Sequence, residues 1–235
     1  DNAIGFSAML NNGAYNLNGN ITTEGDDAYG INLLMTEVGT MTLSGDIYTQ
    51  GMDSHGVFIE DSTLNTIAIK GNVNVEGTFA DGVFLWNSND NHITVNGDIS
   101  TGNTGDEPTF QTGGVFFRES RDNTFIQNGN ILTEAKDASG VYFYDVSNNN
   151  SYIQNGNITT VGLSAYGVTF EGSDANTFNL DGNITTLGDN AHGVYIGEAS
   201  SNNVIKLTGS LSATGAGSDA VNIHATSSKN TVYLG

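Results

Sequence analysis

Residues 181–196 read DGNITTLGDNAHGVYI, and nearly the same words stand at 155–170, NGNITTVGLSAYGVTF, and at 18–33, NGNITTEGDDAYGINL. The glycine of the Gly-Asn/Asp-Ile motif recurs at Gly19, Gly45, Gly71, Gly97, Gly129, Gly156, Gly182 and Gly209, spaced by 26, 26, 26, 32, 27, 26 and 27 residues. A second glycine, before Val or Ile, falls 11 residues later at Gly30, Gly56 and Gly82, 17 later at Gly114, then 11 later again at Gly140, Gly167 and Gly193. Ala220 takes that place in the last repeat. A period this short across the whole chain means stacked units, so residues 1–235 form a single solenoid domain.

Apolar residues alternate three times within each unit, and alternation is the signature of a strand. The first strand carries Ile21, Ile47, Val73, Ile99, Ile131, Ile158, Ile184 and Leu211, mostly with threonine two residues on. The second carries Ile31, Val57, Val83, Val115, Val141, Val168, Val194 and Val221, and the third has Tyr15, Met41, Ile67, Ile93, Phe125, Tyr152, Phe178 and Ile205. A strand reaches a parallel copy of itself only through a crossover of a dozen or more residues, which the period supplies. Such crossovers are right-handed. The expected fold is an all-β, right-handed parallel β-helix with three strands per coil, about 26 residues per coil and nearly nine coils. At about 4.8 Å between strands, the column is roughly 40 Å long.

The corners carry glycine and asparagine, residues that tolerate positive φ. Asn65, Asn91, Asn123, Asn150, Asn176, Asn203 and Asn230 share one corner, where their amides are expected to pair along the axis. Gln127 and Gln154, inward on adjacent coils, are expected to do the same. Six extra residues in the fourth coil make a loop around 102–110, where insertions in solenoids gather and sometimes serve binding.

Composition bounds function. There are 31 glycines, one proline (Pro108) and 37% apolar residues in register, which favours turns and strands over disorder. A formal charge of −20 repels phosphate backbones and anionic lipid surfaces, so nucleic acid is no partner. No apolar run is long enough to span a bilayer, so no direct membrane insertion is expected; any leader or anchor lies outside these residues. Cysteine is absent, which sets no redox compartment.

Asn18-Gly19-Asn20-Ile21-Thr22-Thr23 with Ala28-Tyr29-Gly30-Ile31, and Asn176-Thr177-Phe178 before the next glycine, resemble the repeats of bacterial autotransporter passenger domains and related β-helical adhesins. The resemblance covers essentially the whole chain. It implies export across a Gram-negative envelope, a secreted or cell-surface location, and a role in adhesion or aggregation.

Catalytic signals are weak beside this. Asp53, Asp61, Asp81, Asp137, Asp189 and Asp219 sit at turns rather than as a carboxylate pair across a cleft. Lys70, Arg118, Arg121, Lys136, Lys206 and Lys229 are spread along the column, and Arg118 to Asp122 reads as a solvated corner. His55, His92, His192 and His224 have no chelating spacing, though His55 and His192 alternate with Tyr29 and Tyr166 in one corner column. The acidic turns lack a calcium-binding nonapeptide. The Asn-Ile-Thr triplets at Asn20, Asn157 and Asn183 match a glycosylation acceptor but read more simply as strand repeats. The expectation is therefore no enzyme, no metal and no cofactor.

One column stands out. Between the two inward residues of the second strand, pointing outward, are Phe58, Phe84, Phe116, Tyr142 and Tyr195, interrupted by Thr169, with Trp86 and Tyr144 two residues further along. Aromatics favour strands and stack for stability. An exposed stripe of this length equally marks a contact surface for a partner chain or a cell-surface glycan. The function expected is an extracellular structural or adhesive element. The alternatives are a subunit pairing head to tail with copies of itself through uncapped strands, and a polysaccharide-active enzyme.

Overall fold

A computed structural model of the chain describes residues 3–9, 12–102 and 112–235. Three parallel sheets run the length of the column. The first strands of the units form an eight-stranded sheet, and the second and third strands form nine-stranded sheets. Each strand pairs with its copy one coil away: Val83 lies beside Val57 on one side and Val115 on the other. The expected loop falls at residues outside those described, apart from Gly102, which ends the strand Ile99–Gly102.

The inward columns fill one continuous core, closed by ring stacks on two walls. Phe117, Phe143 and Phe170 stack at 4.8 and 4.9 Å, and Phe125, Tyr152 and Phe178 at 5.1 and 5.2 Å. The strand repeat sets those separations, since identical side chains in register sit one strand spacing apart.

Polar residues close the corners. Thr23, Thr49, Thr160 and Thr186 each donate a hydroxyl to the backbone carbonyl five residues on, at 2.6–2.7 Å. The corner asparagines pair as expected: Asn65 Nδ2 donates to Asn91 Oδ1 at 3.0 Å, and the chain of amides continues to Asn230. Each also accepts the backbone N–H of the preceding corner residue, so a buried amide leaves few polar atoms unpaired. A second, exposed ladder runs through the residue after each landmark glycine, where Asp46 and Asp98 each sit between asparagines. Like charges are thereby kept off adjacent rungs.

Two expectations fail on torsion and pairing. The corner asparagines do not hold positive φ; the residue before each does, including Leu64, Asp122 and Ala175. Among the landmark glycines of the first strand only Gly19 has positive φ. The others are glycine because coils touch: a Cβ on Gly45 would stand 2.1 Å from the Gly19 carbonyl oxygen. At Gly30 the same atom would meet the Gly56 carbonyl at 2.6 Å and Ile47 at 2.5 Å. Gln127 and Gln154 do not pair with each other, because corner carbonyls lie within reach; their amides donate to Gly97 and Gly129 at 2.7 and 2.9 Å.

Burial distinguishes the sheets. First-strand segments such as Ile131–Thr133 alternate buried and half-buried, whereas Val83–Trp86, Thr112–Arg118 and Ala138–Tyr144 in the second-strand sheet are buried on both faces. Something covers the outside of that sheet.

Candidate functional site

The cover is aromatic. Phe58, Phe84, Phe116 and Tyr142 form a second apolar cluster outside the core, with centroids 5.3, 4.9 and 5.0 Å apart. They point outward as the alternation requires, but they are not exposed: each retains between 4% and 8% of its surface. The reason lies in the flanking columns. On one side Tyr29 and His55 lean onto Phe58 at 5.1 and 5.3 Å, and His55 also meets Phe84 at 5.0 Å. On the other, Trp86 stacks against Phe84 at 6.4 Å and Tyr144 tilts onto Tyr142 at 5.6 Å. Pairs of this kind contribute about 0.5–1.5 kcal/mol each beyond burial.

Six of the seven expected site residues are therefore one cluster, and the accessible part of it is the rim: Trp86, Tyr144 and Tyr29, all half-buried. Tyr195 stands apart, packed on Tyr166 at 5.0 Å and His192 at 5.9 Å. Arg118 ends a strand, with its side chain 38% exposed and 3.6 Å from Glu119, its neighbour in the corner read as solvated. Its guanidinium lies 5.4 Å over the Trp86 ring, because Arg118 and Trp86 are register partners on adjacent strands.

The flanking column holds a triplet twice. Tyr29, His55 and Asp81 follow one another coil by coil, and so do Tyr166, His192 and Asp219. In each, tyrosine stacks on histidine (5.6 and 5.2 Å), and histidine Nδ1 accepts the aspartate backbone N–H at 3.0 Å. Asp81 Oδ2 also lies 3.2 Å from His55 Nδ1. A neutral Nδ1 takes the amide proton; a protonated one donates to Oδ2 instead. Burial pushes the Asp81 carboxyl up, against the opposing pull of His55 and of the Gly113 N–H that donates to Oδ1 at 2.5 Å. Burial lowers His192, with Asp219 opposing.

Openings break this face among the described residues. A cleft of about 200 Å³ lies between Asp53, His55, Asp81, Phe84, Phe116 and Arg118. Burial raises Asp53 there, and His55 opposes it. A notch of about 240 Å³ opens where Thr169 interrupts the ring column, between Tyr142 and Tyr166, with Asp137, Ser139, Ser164 and Glu171 around it. Tyr142 donates its hydroxyl to Glu171, and Ser139 Oγ lies 2.8 Å from Thr169 Oγ1. Burial, then the Glu171 charge, drives the Tyr142 hydroxyl far up; burial also raises Glu171.

Among the described residues no three His, Asp or Glu side chains converge as metal ligands. Ring faces, carboxylates and hydroxyls make this a stacking and hydrogen-bonding surface. In sequence Asp81, Ser139 and Glu171 look like ordinary turn or strand residues. Aligning the column before each second glycine finds Asp81 and Ser139, because only register brings them beside the rings.

No protein-family model, curated protein or solved structure matches the chain. The fold defines the class: a parallel β-solenoid of three sheets and about eight to nine turns.

Proposed function

We propose that the chain is an extracellular adhesive β-solenoid of the autotransporter-passenger type, displayed at a bacterial surface, which makes its contact through the outer face of the second-strand sheet. The observation that carries this reading is the rim of Trp86, Arg118 and Tyr144 standing on a rigid bed of stacked rings. Trp, Tyr and Arg dominate binding hot spots because each offers large desolvated area with a polar handle. A bed fixed by coil stacking holds them at little entropic cost on binding.

The test is adhesion of beads or cells displaying the chain, to host cells and to one another. Trp86→Ala with Tyr144→Ala removes the two rings that flank Arg118 and leaves Phe84 and Phe116 in place. Adhesion should fall by about tenfold or more, the scale of one hot-spot residue. Undiminished adhesion by the folded double variant overturns the reading.

A further inference from the structure

The break in the ring column has the shape of a site. Thr169 is the register partner of Tyr142 on one side and Tyr195 on the other, so one rung of a stack otherwise spaced about 5 Å lacks its ring. Tyr166, from the same coil as Thr169, stacks on His192 at 5.2 Å, packs against Tyr195 at 5.0 Å and lines the notch. Tyr142 also lines the notch but is only 5% exposed. At about 240 Å³ the notch is below the range of drug-sized pockets, and suits one ring-sized unit.

We propose that this notch is a subsite for one neutral pyranose unit of a glycan, with the apolar face of the sugar on Tyr166 and its hydroxyls directed to Glu171 and to the Ser164 hydroxyl. The inference rests on the reading of this face as the contact surface, and names what the face takes. Aromatic faces carry negative charge density and attract the weakly positive C–H groups of a sugar ring. Carboxylates accept from sugar hydroxyls, and a serine hydroxyl both donates and accepts. The sign of the site selects the class. Glu171 has Glu198 within electrostatic reach, and the Lys136 ammonium lies 3.7 Å from Asp137, which lines the notch. An anionic uronate would meet the repulsion of Glu171 and Glu198 where its hydroxyls must bind. The Tyr29, His55 and Asp81 triplet has no such gap between two rings: the register partner of Phe58 is Asn32, and the strand before it carries Ser7 in place of a second ring.

The experiment titrates the chain with methyl β-glucopyranoside, methyl β-galactopyranoside and methyl α-mannopyranoside, with glucuronate as the anionic control, followed by saturation-transfer NMR and tyrosine fluorescence. At least one neutral glycoside should saturate at a Kd on the order of 1–10 mM, the affinity of about 3–4 kcal/mol that a single ring contact supplies. Glucuronate should not compete. Thr169→Phe fills the rung with the ring that Phe116 carries two coils earlier, and should weaken binding at least tenfold. Tyr166→Ala, which removes the platform without adding bulk, should do the same. No saturation by any neutral glycoside, equal binding by glucuronate, or wild-type affinity in folded Thr169→Phe overturns the proposal. Adhesion separates the two readings. If Trp86→Ala with Tyr144→Ala abolishes adhesion while wild type binds no glycoside, only the subsite fails. If that variant adheres normally, the contact reading fails whatever the notch binds.

Discussion

Tyr29, His55 and Asp81 and the later Tyr166, His192 and Asp219 are one triplet placed twice on one column, with matching ring stacks and matching 3.0 Å amide bonds to histidine. Their ends differ. The Asp81 side chain is 2% exposed and the Asp219 side chain 56%. The coil bearing Gly113 and Phe116 lies over Asp81, whose Oδ1 accepts the Gly113 N–H, whereas Asp219 Oδ2 accepts from the Asn222 side chain of its own coil. Local sequence thus sets the ladder, and the neighbouring coil sets what each member costs or contributes. That is the nearest-neighbour energetics of a solenoid, visible at one side chain.

The sharpest way to break the comparison is to remove the rings on which each ladder leans. Phe84 touches His55, Phe58, Trp86 and Phe116, so Phe84→Ala should destabilise by about 3 kcal/mol, the lower end for a buried phenylalanine. Among the rings of the described residues Tyr195 touches Tyr166 and His192, and Tyr195→Ala should cost about 1 kcal/mol. Denaturant unfolding measures both. Equal losses would mean that the two ring groups are equally supported, against the difference in burial.

The aspartates come next. Asp81→Ala leaves the Gly113 N–H buried without its acceptor, and should cost about 1–3 kcal/mol. Asp219→Ala touches an exposed side chain bonded to Asn222, and should stay within about 0.5 kcal/mol. A large loss at Asp219 would show that the triplet itself, rather than its cover, sets the energy.

How far the sequence shows this follows from what each signal depends on. The inward columns are legible because Ile21, Ile31 and Tyr15 and their copies recur with one period, and a one-residue slip would expose every one of them. The glycines are legible as corners but not in their cause. Positive φ and close approach both demand glycine, and only the distance from Gly45 to the Gly19 carbonyl separates the two. Alternation places the seven site aromatics on the correct face. Their burial is not legible, because Phe84 is covered by His55 from the coil before and Phe116 from the coil after, and exposure depends on columns read side by side. Arg118 is legible only in part for the same reason: its pairing with Glu119 is local in sequence, whereas its place over Trp86 comes from register with the coil before.

The smallest expected effect is the response to pH, where the two ladders should move in opposite directions. The Asp81 carboxyl is raised in the fold by burial, with Asp53 adding to it, so its contribution is fully present below the unfolded value of about 3.9 and is lost as pH rises through the folded value. Asp81→Asn imitates the neutral form and keeps an acceptor for Gly113. Its stability relative to wild type should therefore improve as pH rises from 4 to 7. His192 is lowered by burial, so its contribution is present above about 6.5 and is lost as pH falls through the depressed folded value. His192→Phe keeps a ring on Tyr166 and cannot titrate. Wild type should lose ground to it between pH 7 and pH 5, an effect kept small by solvent screening. Profiles that move together would mean that a shared influence, such as the net charge of −20, governs both ladders rather than the burial of one aspartate and one histidine.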